Sequence, residues 1–272
     1  MPLGDLLFDV EVEGPDDGAA VLLLHGFPQS SRSWDGVAPH LLAAGHRVVR
    51  VDQRGYSPGA RPPEVADYRI ELLVSDAVGV LDSLGISAAH VVGHDWGSQV
   101  AWVLAASRPD RVHTLTAVSV PHPAAFGWAV RNDPEQAERS SYMALFRQPE
   151  GIAEQALLAD DARRLRRLYG DLPADTVDAY VARFTAPGAL TAALNWYRAM
   201  GLGQRSPIGP VQVPTTFVWS TGDVAVGRVA AERCAEYVSG DYRFLEIPDV
   251  SHWLPDQAPE AVAEAILARI TG

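Results

Sequence analysis

Gly93-His94-Asp95-Trp96-Gly97 is the stretch of this chain whose residue types and spacing could do chemistry. It has the frame of a nucleophile elbow, with aspartate where serine usually stands. An aspartate attacking a carbonyl would give a mixed anhydride. Attack on a saturated carbon gives instead an alkyl ester, which water can cleave in a second step. The expected electrophile is therefore an sp³ carbon carrying an oxygen or halide leaving group.

A nucleophile in that position must stand on a sharp strand-to-helix turn, and the flanking residues supply one. Ala88 to Val92 is a short run rich in β-branched residues, and Ser98 to Ala106 is a strong helix former. Gly93 and Gly97 are small enough for the tight turn, and the N-terminus of the following helix favours a carboxylate. Around this unit the pattern alternates. Leu7 to Glu13 reads as a half-buried strand, Gly14 to Gly18 as a turn, and an antiparallel N-terminal hairpin is expected. Val21 to Leu24 and Val48 to Val51 are continuously apolar, as in a sheet covered on both faces. Further strands are expected at 112–118, 215–219 and 242–247, and helices at 34–44, 70–84, 229–238 and 260–270. Such a βαβ series predicts an α/β fold with a mostly parallel sheet and right-handed crossovers. From about His122 to Gly209 the periodicity is helical throughout, including an arginine-rich run at 161–168 that reads as a solvated face. This predicts a core of residues 1–121 and 210–272 and an inserted helical cap of 122–209, with Pro207, Gly209 and Pro210 marking the return.

Composition excludes several classes. A chain of 272 residues with 47% hydrophobic content can bury one large core, which rules out disordered or fibrous proteins. The formal charge of −12, with no basic run, argues against binding nucleic acid or an anionic membrane. The single cysteine, Cys234, forbids an internal disulfide and reads as core filler, which fits a reducing cytoplasm. No apolar run reaches membrane-span length, and the first residues lack a basic signal region, so a cytosolic protein is expected. No metal or other cofactor is expected: His25, His90, His94, His113 and His122 read as structural. Oligomeric state is not legible.

The order His25-Gly26-Phe27-Pro28, Asp52-Gln53-Arg54-Gly55-Tyr56-Ser57, Gly93-His94-Asp95-Trp96-Gly97, a helical insertion, Gly222-Asp223 and Ser251-His252-Trp253 resembles the α/β-hydrolase-fold epoxide hydrolases, over nearly the whole chain. The resemblance implies the α/β-hydrolase fold and hydrolysis of a small-molecule epoxide to a vicinal diol with water, Asp95 being the nucleophile. It places the base at His252, which suits activation of water near neutral pH, and the orienting acid at Asp223. Some relatives carry that acid after the strand following the elbow helix, but Ser119 to His122 offers no carboxylate. Backbone N–H groups of Phe27 and Trp96 are the expected oxyanion hole. Phe27 stands in a His-Gly-X-Pro motif whose bond to proline is often cis, although an ordinary trans bond is equally open here. Ring opening makes an alkoxide that needs an acid, and two insertion segments, 141–149 and 194–198, resemble those that present a tyrosine pair. That role falls to Tyr142 and Tyr197. Trp96, Phe27, Phe126, Trp128, Met143 and Trp196 are candidates for an apolar pocket wall.

Two alternatives stay open. Haloalkane dehalogenases share the aspartate, the following tryptophan and the fold, and hold halide with the indole N–H and a second donor. Phe27 has no side-chain donor, although Trp128 or Trp196 could supply one. Defluorinating relatives carry arginine where Trp96 stands, which argues against them. A non-catalytic ligand-binding protein on the same fold is the other alternative.

Overall fold

The computed structural model describes residues 1–203 and 208–272, so Pro207 lies outside the described residues. Its strands are β1 (Pro2–Leu3), β2 (Leu6–Leu7), β3 (Val10–Glu13), β4 (Ala20–Leu24), β5 (Arg47–Val51), β6 (Ala89–His94), β7 (Val112–Val118), β8 (Thr215–Ser220) and β9 (Tyr242–Ile247). Strands β3 to β9 form one sheet in the order β3-β5-β4-β6-β7-β8-β9, parallel except for β3. The expected hairpin does not form between β3 and β4. Instead β3 pairs antiparallel with β5, and the N-terminal hairpin is the small β1–β2 pair. The reason lies in side-chain polarity. Every residue of β4 is buried and needs a strand on both sides, whereas Glu11 and Glu13 suit an edge, where both reach Arg50 of β5.

Alternate residues of β4 enter opposite cores, Leu22 and Leu24 on one face and Val21 and Leu23 on the other. Each is fully buried and contributes about 2 kcal/mol of apolar transfer. One face is covered by α1 (Ala38–Ala43) and α12 (Pro259–Thr271), whose Leu41, Val262 and Ile266 join Val21 and Leu23. The other is covered by α2 (Ile70–Ser83) and α3 (Trp96–Ser107). The helix expected over 34–44 is split into a 3₁₀ turn at Ser31–Trp34 and α1, which has Pro39 near its start. Between β7 and β8 come six described helices: α4 (Pro123–Asn132), α5 (Pro134–Arg139), α6 (Met143–Phe146), α7 (Ile152–Leu168), α8 (Ala174–Phe184) and α9 (Ala189–Arg198). Element α7 leaves helical dihedrals at residues 159–162 and so runs as two pieces. After β8 come α10 (Arg228–Glu232), continued by a 3₁₀ turn through Tyr237, and α11 (Leu254–Gln257). Cys234 is buried in that turn, and no described helix is long and apolar enough to cross a membrane.

The insertion starts at His122, whose Nδ1 accepts from the Ala124 N–H at 3.2 Å and caps α4. Burial pushes the His122 pKa down to about 4. The folded protein therefore keeps it neutral while the unfolded chain protonates near 6.5. Stability from this group is complete above that value and is lost as pH falls from 6.5 towards 4, by about 2 kcal/mol at pH 5. His122→Asn retains a capping acceptor and removes the titration. Its urea-unfolding free energy should fall less between pH 7 and 5 than the parent's; equal falls would exclude His122 as a source of acid sensitivity.

Candidate active site

Asp95 stands between the last residue of β6 and the first of α3, at φ 52° and ψ −118°. Such angles are costly for a non-glycine residue and lift the side chain out of the turn. The turn closes because its flanks lack side chains: a Cβ on Gly97 would strike the carbonyls of Leu24 and His25, and one on Gly93 would strike the Gly97 backbone. The Phe27 N–H donates to Asp95 Oδ1 at 2.7 Å, and the Trp96 N–H also bonds this carboxylate. The Phe27-Pro28 bond is cis. Burial alone would raise the Asp95 pKa. The hydrogen bond and charge of His252, with help from His94 and the Trp96 N–H, hold it below the usual carboxylate value.

His252 follows β9 in the loop before α11. Its Nδ1–H points at Asp223 Oδ2 (2.9 Å) and Oδ1 (3.1 Å), and its Nε2 lies 3.5 Å from Asp95 Oδ2. Asp223 follows β8, and its Oδ1 also accepts from the N–H groups of Ala225 (2.8 Å) and Val226 (2.9 Å). Burial would lower the His252 pKa, but Asp223 and Asp95 outweigh it and push it up to about 10. His252 is therefore an imidazolium between two carboxylates when nothing is bound.

Two further side chains hold the His252 backbone: His94, which reads as structural in the sequence, and Ser119, which carries no sequence signal for a place here. His94 Nε2–H and Ser119 Oγ–H both donate to the backbone carbonyl of His252, at 2.9 and 3.0 Å. His94 thus packs against His252 rather than serving only the core, and its burial lowers its own pKa to about 4, keeping it neutral.

Above Asp95 lies a cavity of about 200 Å³ lined by Trp96, Phe126, Tyr142, Met143, Trp196 and Tyr197 among others. A smaller hollow of about 110 Å³, against Phe27, Phe146 and His252, meets it at Asp95 and the two tyrosines. The rings of Tyr142 and Tyr197 are 6.4 Å apart, and Tyr197 meets Trp96 edge-on. Burial raises both phenol pKa values far above normal, aided at Tyr142 by Asp95 and at Tyr197 by Tyr142 and Asp95. Both remain protonated donors at neutral pH.

Trp128 does not belong to the wall. Two residues past Phe126, it lies about 200° further round α4. It stacks instead on Arg233, whose guanidinium is 3.8 Å from the ring centroid. The Trp196 ring does face the cavity, but its indole N–H donates to the Arg54 carbonyl at 2.8 Å. Among the described residues no cluster of three or more His, Cys, Asp or Glu could hold a metal ion.

The surrounding chain has clear relatives. Residues 19–259 match the family described as alpha/beta hydrolase fold. The AB hydrolase superfamily protein YfhM of Bacillus subtilis is 35% identical over 265 residues, covering 95% of this chain and 92% of its own. Epoxide hydrolase A of Mycobacterium tuberculosis is 34% identical over 307 residues, covering 96% and 93%. A variant epoxide hydrolase from Bacillus megaterium, solved with its naphthyloxy-propanediol product, superposes with a TM-score of 0.88 at 26% identity, covering 97% of each chain.

Proposed function

Because this chain belongs to the epoxide hydrolases of the α/β-hydrolase fold, we propose that it hydrolyses an epoxide to a vicinal diol through an ester on Asp95. In this reading Oδ1 stays with the Phe27 N–H, and Oδ2, on the His252 side, attacks an epoxide carbon from the rear. The C–O bond of the ring breaks, and Tyr142 or Tyr197 protonates the departing oxygen. Ester formation removes the Asp95 charge, the His252 imidazolium gives up its proton to the tyrosinate by way of solvent, and the neutral imidazole then takes a proton from water as the hydroxide adds to the Asp95 carboxyl carbon. The N–H groups of Phe27 and Trp96 hold the oxyanion until it collapses, the bond from the carboxyl carbon to the diol oxygen breaks, and the carboxyl proton passes by way of His252 to that oxygen, restoring the Asp95 carboxylate. The helices of residues 122–209 act as a cap that keeps this chemistry in an apolar space.

The observation that carries the proposal is the pair of protonated phenols facing the cavity above Asp95. It favours an oxygen leaving group. A halide would need a second N–H donor beside Trp96, and the candidates are occupied elsewhere. Trp196 is bonded to Arg54, Trp128 lies on Arg233, and Phe27 has no side-chain donor. A purely ligand-binding role has no specific support, because the whole hydrolytic constellation is within reach of Asp95.

A single turnover in ¹⁸O-water, with enzyme in excess over a styrene, aliphatic or fatty epoxide, tests the scheme. The first diol should be unlabelled, and peptide mass analysis should find label in Asp95. Label in that first diol would mean direct attack by water. Halide release from haloalkanes at rates comparable to diol formation would restore the dehalogenase reading.

A further inference from the structure

The loop that carries Asp223 is gripped from outside the core. Gln136 of α5 is fully buried, and both ends of its amide point at this loop: Nε2 donates to the Ala225 carbonyl at 2.8 Å, and Oε1 accepts from the Gly227 N–H at 2.8 Å. Nε2 also bonds Ser140 Oγ at 3.0 Å, so donor and acceptor are both satisfied. One turn further along α5, Arg139 Nη1 donates to the Asp223 carbonyl itself. Its Nε and Nη2 are fixed by Glu135 Oε1 at 3.0 and 2.7 Å. The helix is itself anchored, since Asp133 Oδ1 accepts from the Glu135 N–H at 3.2 Å.

The two grips complement each other. The Asp223 carboxylate is tied by Ala225 and Val226 N–H groups on the inner side of the turn. Helix α5 binds the backbone of residues 223, 225 and 227, and its Arg139 also lines the smaller hollow beside His252. Sequence spacing places Gln136 and Arg139 three apart on one face of the helix, so both reach the same loop.

We infer that Gln136 and Arg139 are positioning residues through which the helical insertion sets the orientation of Asp223 and hence of His252. An insertion that moves away from the core would drag or release the acid loop, so the hydrolytic half of the reaction is complete only while α5 is docked. The two steps depend on this unequally. Attack by Asp95 on substrate needs the elbow and the tyrosines, whereas activation of water needs His252 aimed by Asp223.

This inference rests on the Asp95-ester reading, and the experiment separates the two. Gln136→Met fills the same buried volume without hydrogen bonds, and Arg139→Ala sits at a half-exposed position where folding is less at stake. In rapid-quench experiments with a turned-over epoxide, each variant should form alkyl-enzyme at the parent rate and hydrolyse it about tenfold or more slowly, because a small misorientation of a catalytic group suffices for that. Covalent adduct should then accumulate in the mass spectrum. Arg139→Lys, which keeps a donor near the Asp223 carbonyl, should recover most of the loss. Equal slowing of both steps, or hydrolysis at the parent rate in Arg139→Ala and Gln136→Met, would overturn the positioning role. If His252→Gln also fails to collect adduct, the ester scheme itself fails.

Discussion

Replacing His252 with Gln should stop turnover while leaving the first chemical step intact, so that the protein gains the mass of its substrate and keeps it. Removing a catalytic histidine of this kind costs about 10⁴-fold or more in steady-state rate. Here the loss should fall on ester hydrolysis, because Nε2 faces Asp95 Oδ2 at 3.5 Å while Nδ1 is engaged by Asp223. Glutamine offers no comparable base. The check is intact-protein mass spectrometry after incubation with a substrate that the parent consumes. An unmodified His252→Gln protein would remove His252 from the second step, or Asp95 from the first.

The second large effect is expected at the other side of the cavity. Tyr142→Phe with Tyr197→Phe leaves the ring oxygen without an acid, and the released alkoxide would have to leave unprotonated into an apolar space. Loss of one donor to a developing oxyanion costs about 10² to 10³-fold. The double substitution should therefore slow alkyl-enzyme formation by at least about 10³-fold. Either single variant should lose less, since the rings are neighbours and both contact the same space. Stopped-flow tryptophan fluorescence can follow the step, because Trp96 and Trp196 line the cavity. Ring opening within tenfold of the parent in the double variant would strip both tyrosines of this role.

Much of this site is legible in the sequence because its parts are local or ordered along the chain. The elbow at Gly93 to Gly97 is a backbone requirement written in small residues, and Asp95, Asp223 and His252 each follow a strand recognisable by its apolar run. What was not legible depends on partners distant in sequence. Whether Val10–Glu13 joins β4 or β5 is decided by which strand needs two neighbours, and that is a property of the sheet as a whole. The outward turn of Trp128 and the bond from Trp196 to Arg54 follow from where α4 and α9 dock. Gln136 and Arg139 are the clearest case. On a polar six-residue helix they look like solvent-facing residues, and only the folded chain brings them to the acid loop some 90 residues later.

The closeness of Asp95 and His252 also sets an order of events. In the free protein the carboxylate of Asp95 is one of the charges that keep His252 protonated. In the proposed scheme the ester removes that charge, and the imidazolium keeps only Asp223 to hold its proton against burial. On that scheme the base would be armed by the covalent bond it later helps to break, and the idle site would activate water poorly. Substrate acts as its own timer, and the two half-reactions should show different pH profiles when resolved in single turnovers.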